Sequence, residues 1–441
     1  IFIAIFDKWS SDIIKLFDRQ FNKNVIFSFA YVAVNLLVGL VITSYSVNYL
    51  GLEVYGAWSI LMLLMLLGVI GDQSIAAPIV YMAAKYQSLN ELKNLSSLYA
   101  NGFALVTIIS CGFASIFTFY DDSISMLLFK NLDYLPYVKY IGFMISIFLY
   151  GSLSSAMLNG CGRNDLAFIN RSISRIVQLV VVVVLLVSEF GLLSLFLGLA
   201  AHHLVLLAMS FYQSLTLVRF DRGRFDRLVI MEILHIGGPS LIGRLVGMFS
   251  DPLLKVHLSR SVGLESVGTF DIAQKANASV SALPVSALSN IPAQVMNLNS
   301  GSKLPGEAVR IFRKKAWVYL SIFSIPVFCI VQFLLPSLLN IWLGNYEEEL
   351  IQTIRILLAT YLLHSFSMVD LNIMLGFGKT KLQLYSNVVT VITVLLVLLC
   401  SFWLDIDGYF YIVIGYCFAI VAGGLCSIFY TINFLYRCFY W

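Results

Sequence analysis

Runs of about 20 apolar residues, the length that carries a helix across a bilayer core, recur twelve times along this chain. They fall at 25–48, 55–84, 97–119, 138–160, 168–187, 192–216, 231–258, 265–296, 315–335, 350–376, 382–403 and 409–435. In lipid each run must satisfy its own backbone hydrogen bonds, and a helix does this within a single segment. The chain therefore reads as an all-α integral membrane protein with about twelve transmembrane helices. Its composition points the same way. With 59% hydrophobic and 12% charged residues and a mean hydropathy of +0.88, it has too few polar groups to cover a soluble surface. The seven cysteines stand singly inside apolar runs, without a CxxC pair or a Cys/His cluster. Neither a disulfide framework nor a metal site is expected, and no cofactor motif is present.

Charge sets the orientation. If the N-terminus is cytoplasmic, twenty-one of the 28 Lys and Arg residues fall in cytoplasmic segments, including Arg219, Arg222, Arg224 and Arg227 in one linker. The opposite loops carry Glu53, Asp121, Asp122, Asp133 and Glu347–Glu349, with only Lys130 and Arg260 as clear cations. This bias is the positive-inside rule, and it expects both termini in the cytoplasm. Residues 1–24 lack a small-residue cleavage site and read as an interfacial helix, with Phe17 and Phe21 towards lipid and Lys15 and Arg19 at the headgroups. The longest outer loop, near 120–137, is far below the roughly 50 residues of a typical domain, so no soluble catalytic domain is expected.

The chain repeats itself. LGLEVYGAWSI (50–60) aligns without a gap to VGLESVGTFDI (262–272), and GCGRNDLAF (160–168) aligns to GFGKTKLQL (376–384). Each motif occupies the same place in its half, after the first or the fourth helix. The expected organisation is an interfacial segment 1–24, a six-helix bundle 25–217, a basic cytoplasmic linker 218–230 and a second six-helix bundle 231–441. Six is even, so the two bundles are parallel repeats, an arrangement that places substrate between the halves.

The hairpin that spans 244–275 concentrates charge. Arg244, Asp251, Lys255, Asp271 and Lys275 lie in two consecutive apolar helices. A charge at the bilayer centre costs roughly 2.5–3.5 kcal/mol on the lenient scales, so such groups face a wet cavity or one another. Arg244, Asp251 and Lys255 are at i, i+7 and i+11 and share one face of a continuous helix; Asp271 and Lys275 are an i, i+4 pair. Folding the hairpin about 261–262 makes Asp251–Lys275 and Lys255–Asp271 cross-pairs both feasible. Two readings stand: ion pairs that join helices, or a substrate-binding cavity. Arg244, close to the midplane, suits a phosphate because its planar fork binds two oxygens; the other reading pairs it with Asp72 or Asp370. Polar Asn35, Thr43, Ser44, Ser46 and Asn48 on the first helix either meet sugar hydroxyls or pack between helices.

Asp72 and Asp370 are membrane carboxylates, read either as ion-coupling groups or as partners of a neighbouring helix. His202 and His203 read as packed or hydrogen-bonded. The repeat-related Lys139 and Arg355 either snorkel to headgroups or form an exit site. Arg171 and Arg175 share a face with Gln178 and either line a vestibule or follow the positive-inside bias. Gly378-Lys379-Thr380 mimics the end of a phosphate-binding loop but joins two membrane helices. The cytoplasmic arginines suit anionic lipid headgroups, not nucleic acid.

The blocks LGLEVYGAWSILMLLMLLGVIGDQSIAAPIVYMAAKY and GPSLIGRLVGMFSDPLLKVHLSRSVGLESVGTFDIAQKA resemble polysaccharide flippases of the O-antigen (Wzx) type. These share a superfamily with multidrug extruders and lipid II flippases. The resemblance implies a V-shaped, twelve-helix pair of bundles in the bacterial inner membrane that moves an undecaprenyl-diphosphate-linked oligosaccharide outwards. It implies membrane lipids, a polysaccharide polymerase and the chain-length machinery as partners, and no enzymatic chemistry. The alternative on the same fold is a cation-coupled drug extruder.

Overall fold

A computed structural model describes residues 19–129, 133–218, 226–288, 305–344, 346–377, 381–404 and 408–437, with Ile291, Val295 and Lys379 between them. Within these stretches the side chains of 19–25, 236–244 and 282–288 and of a few single positions lie outside the description. The secondary structure described is helical. In chain order the helices are α1 (Arg19–Ser88), α2 (Leu92–Phe119), α3 (Asp121–Phe129), α4 (Leu135–Gly160), α5 (Asn164–Val187), α6 (Leu193–Leu217) and α7 (Arg227–Met248). They continue with α8 (Ser250–Ser261), α9 (Leu264–Leu288), α10 (Pro305–Leu343), α11 (Glu348–Gly376), α12 (Lys381–Leu404) and α13 (Tyr409–Arg437).

Among the described residues nine helices are long and apolar enough to cross a membrane. One of them, α1, holds two expected spans. Seventy residues of unbroken helix would run about 105 Å at 1.5 Å per residue, more than three hydrocarbon cores. The run is interrupted at Gly51, whose φ of 80° and ψ of 166° are not helical. Side chains that face outward are those expected towards acyl chains: Phe333 and Ile341 are each 84% exposed and Trp403 is 83% exposed. The protein is a multi-pass membrane protein.

Three boundaries differ from the sequence reading. The run at 231–258 is broken at Phe249 into α7 and α8. Pro252 accounts for the break, because it donates no hydrogen bond to Met248 and its ring crowds that carbonyl. Arg244 thus lies before the break, in α7, and Asp251 and Lys255 after it, in α8. Next, α10 begins at Pro305, so Arg310, Arg313, Lys314 and Lys315 ride on its first turns and not in a loop. Finally, the connection after α2 contains a short helix, α3.

The described chain divides into two compact units. The first comprises 1–45, 67–121 and 135–238; the second comprises 46–66, 122–134 and 239–441. In the first unit α4 is the central helix, with α2, α5 and α6 packed on it. Gly142 lets it approach the backbone of Ala114 and Phe113, where a Cβ would collide. In the second unit α11 and α13 are central, with α9, α10 and α12 around them. Lipid tails are as apolar as leucine, so close packing at small residues and polar contacts hold such helices together.

Candidate functional site

The second unit carries a connected set of charges at the α8–α9 hairpin. The turn is made at Val262 and Gly263, where φ is 132° and the Gly263 amide donates to the Leu258 carbonyl at 2.9 Å. Lys255 is 5% exposed. Its Nζ lies 2.7 Å from Asp271 Oδ1, 3.5 Å from Asp251 Oδ2 and 3.2 Å from Ser59 Oγ. Asp271 Oδ2 takes Lys275 Nζ at 3.0 Å and the Tyr55 hydroxyl at 2.7 Å. Lys275 also donates to the Tyr55 hydroxyl and sits 4.9 Å from the centre of that ring. Asp251 accepts Gln274 Nε2 at 2.6 Å, and Gln274 reaches on to the Tyr416 hydroxyl at 3.4 Å. Of the two cross-pairs open from the sequence, Lys255–Asp271 is the one formed. Asp251 instead meets Lys255 and Gln274. Two acids and two lysines thus close a neutral set within the unit.

The repeated motif explains why Tyr55 and Ser59 are there. Gly51 and Gly263, equivalent in the repeat, both have positive φ, which glycine adopts without a Cβ penalty. Five residues on, Gly56 and Gly268 cross one another. A Cβ on Gly56 would fall on the Leu264 carbonyl, and one on Gly268 would meet the Leu52 carbonyl. That contact carries segment 46–66 onto α9. Ser59 and Asp271 are themselves repeat equivalents, so one lysine, Lys255, grips the same position of both motifs. The internal alignment located both glycine pairs, but not that the two motifs touch each other.

The remaining candidates are distributed. Arg244 is in α7, but its side chain lies outside the described residues. Asp370 is fully buried and takes Arg313 through two bonds, from Nε to Oδ1 and from Nη2 to Oδ2, the latter at 3.0 Å. The Arg313 guanidinium stands 4.9 Å from the centre of the Trp317 ring. Asp370 is therefore not a lone carboxylate; its partner Arg313 lies two residues before the apolar run at 315–335, on the first turns of α10. Asp72 accepts a hydrogen bond from Ser152 across α1 and α4. Arg171 donates to Ser155 at 3.1 Å and Arg175 to Gln178 at 2.7 Å. Lys139 and Arg355 are exposed at the first turns of α4 and α11. Thr43 and Ser46 are buried, as are His202 and His203, whose rings lie 4.8 Å apart. No cluster of His, Cys, Asp and Glu that could hold a metal occurs among the described residues.

The sequence reading missed a polar cavity of about 210 Å³ in the second unit, lined from α7, α8, α11, α12 and α13. Its signal was visible as Gln383, Ser386, Asn387 and Thr390, polar residues recurring at i, i+3, i+4 and i+7 on one face of an otherwise apolar helix.

Among the described residues, a helical, multi-pass architecture with a neutralised charge cluster at a repeat-related crossing defines the class: a polytopic membrane protein that keeps charged groups among its helices. The chain belongs to the polysaccharide biosynthesis protein family, whose model matches residues 50–352. Solved structures share the fold. The lipid II flippase MurJ, in an inward closed conformation, has a TM-score of 0.72 at 14% identity, covering 94% of this chain and 90% of that one. An inward-facing multidrug resistance MATE transporter of the MOP superfamily has 0.71 at 13%, covering 92% and 95%. A MOP superfamily transporter from Pyrococcus furiosus has 0.63 at 14%, covering 95% and 96%. No curated protein matches in sequence.

Proposed function

We propose that this protein is a flippase that carries an undecaprenyl-diphosphate-linked oligosaccharide, an O-antigen or related repeat unit, across the bacterial inner membrane by alternating access. The observation that carries this reading is the family match over 50–352, a polysaccharide biosynthesis family on a fold that a lipid II flippase and multidrug transporters also use. Both termini lie in the cytoplasm in this reading, as the bias of Lys and Arg expects. The lipid tail stays in the bilayer while the charged head passes through a hydrated path. Arg244 holds the diphosphate, since its guanidinium binds phosphate oxygens in a bidentate way, and Lys255 and Lys275 with Asp251 and Asp271 border the route. Arg171 and Arg175 line the entry vestibule, and Lys139 and Arg355 the exit. Asp72 and Asp370 are the candidates for ion coupling; protonating Asp370 would release Arg313. The released product suits a polymerase and chain-length machinery as downstream partners.

The test is complementation of a bacterium that lacks its own O-antigen flippase, scoring surface polysaccharide. The parent protein restores the polymer, and Arg244→Ala does not at equal membrane level. Ethidium efflux by the parent without restored polymer would replace this reading with a drug extruder.

A further inference from the structure

The cavity in the second unit has a chemistry the charge cluster does not share. Among the described residues its lining includes Tyr361, His364, Ser367, Gln383, Ser386, Asn387 and Thr390, and no Asp, Glu, Lys or Arg. The hydroxyls are oriented by their own backbone bonds. Ser386 donates to the Gly423 carbonyl at 2.8 Å, Thr390 to the Ser386 carbonyl at 3.1 Å and Ser367 to the His364 carbonyl at 2.7 Å. With their protons committed, these oxygens offer lone pairs, and the amides of Gln383 and Asn387 each carry two N–H donors and a carbonyl acceptor. Glycines make the room. A Cβ at Gly247 would meet the Asn387 amide, and one at Gly423 or Gly424 would meet the hydroxyl of Thr390 or Ser367. Gln383 is the exposed end of the row, and Ser386 and Ser367 are buried within it.

Such a lining discriminates between ligands. A diphosphate would find, on the described lining, hydroxyl and amide groups and no lysine or arginine to neutralise it. A bare metal cation would find no carboxylate, because the nearest one along the network, Asp251, is engaged by Lys255 and Gln274. An apolar drug would leave polar groups unpaired, at a cost that rises with burial. A pyranose ring suits it, since every hydroxyl is both donor and acceptor, and a cavity of about 210 Å³ has room for a ring of that size. We propose that this cavity is a subsite for a single neutral sugar residue of the lipid-linked substrate. The proposal rests on the flippase reading and adds to it the recognition of a sugar by the second unit alone. Tyr416, which lines the cavity, also meets Gln274, so an occupied subsite contacts the hydrogen-bond chain that ends on Asp251 and Lys255.

The experiment uses the full chain in lipid nanodiscs. Its probes are undecaprenyl diphosphate carrying one glucose, galactose or N-acetylglucosamine, the same lipid without sugar, and phosphatidylglycerol. The parent binds at least one glycosylated lipid more tightly than the bare diphosphate. Asn387→Leu lowers that preference about fivefold, the scale of one neutral hydrogen bond in a buried site. Gly247→Ala, which crowds the Asn387 amide and removes no polar group, lowers it too; both variants are first checked for a monodisperse, folded protein. A preference unchanged in both folded variants would overturn the subsite and leave the flippase reading standing. So would equal binding of glycosylated and bare lipid by the parent. Sodium binding that Asn387→Leu abolishes would reassign the cavity to a cation. If the parent binds undecaprenyl diphosphate no better than phosphatidylglycerol, the flippase reading fails, and the subsite with it.

Discussion

Lys255 is the residue on which the cluster turns, because it alone touches Asp271, Asp251 and Ser59. Removing one partner of a buried ion pair costs about 3–5 kcal/mol, since the other charge is left uncompensated; here Lys275 remains on Asp271 and lessens the loss. Lys275 has a side chain 43% exposed against 6% for Lys255, so its removal is cheaper. Lys255→Met is therefore expected to lower the unfolding midpoint in detergent by several degrees more than Lys275→Met. The double variant Lys255→Met/Asp271→Leu recovers part of the loss. A larger effect from Lys275→Met would contradict this account of the cluster. Arg313 offers a second check: Arg313→Lys keeps the charge but not the fork on Asp370, and is expected to destabilise nearly as much as Arg313→Ala. Full rescue by lysine would show that charge alone matters there. At this scale the sequence was partly legible. An antiparallel hairpin with charges four residues apart fixes which lysine can meet which acid, so Lys255–Asp271 was within reach. Tyr55 and Ser59 lie about 200 positions away in sequence, and no local period connects them to the hairpin.

Helix breaks and crossings belong to the next scale. Pro252 interrupts the helix at Phe249, and a proline inside a helix costs about 3 kcal/mol or more. Pro252→Ala is expected to join α7 to α8 and raise the unfolding midpoint, with the new amide protected in hydrogen exchange. An unprotected amide would mean that another force breaks the helix. The Gly56–Gly268 crossing leaves no space for a side chain, so Gly56→Val is expected to part segment 46–66 from α9 and to expose Lys255 to a water-soluble amine reagent. Unaltered labelling would show that the crossing is slack. The order of the membrane-spanning segments could be read from hydropathy because lipid demands long apolar runs. The proline break was legible but not read. Arg310–Lys315 resembled a loop only because charge ended the apolar run, although charged residues continue a helix at a membrane surface readily.

For the whole molecule, the two copies of the repeated motif meet in one compact unit, and Leu52 and Leu264 each press the other motif's glycine. If transport requires this contact to hold, Gly268→Val, whose side chain would strike the Leu52 carbonyl, is expected to abolish transport while Gly39→Ala, in open space, does not. Unchanged turnover in a folded Gly268→Val protein would remove the contact from the mechanism. The internal repeat and the uneven spread of Lys and Arg between alternate connections are both visible in the sequence. The ligand is not, because sugar recognition depends on residues gathered from five helices. The most direct measurement is translocation in sealed proteoliposomes that hold the purified chain and a fluorescent undecaprenyl-diphosphate-linked sugar. Access of the outer leaflet to a membrane-impermeant quencher reports the transbilayer distribution. The account predicts redistribution of the glycolipid at a rate well above protein-free vesicles, slowed by Arg244→Ala. Equal rates with and without the protein, in vesicles where ethidium is moved, would contradict it.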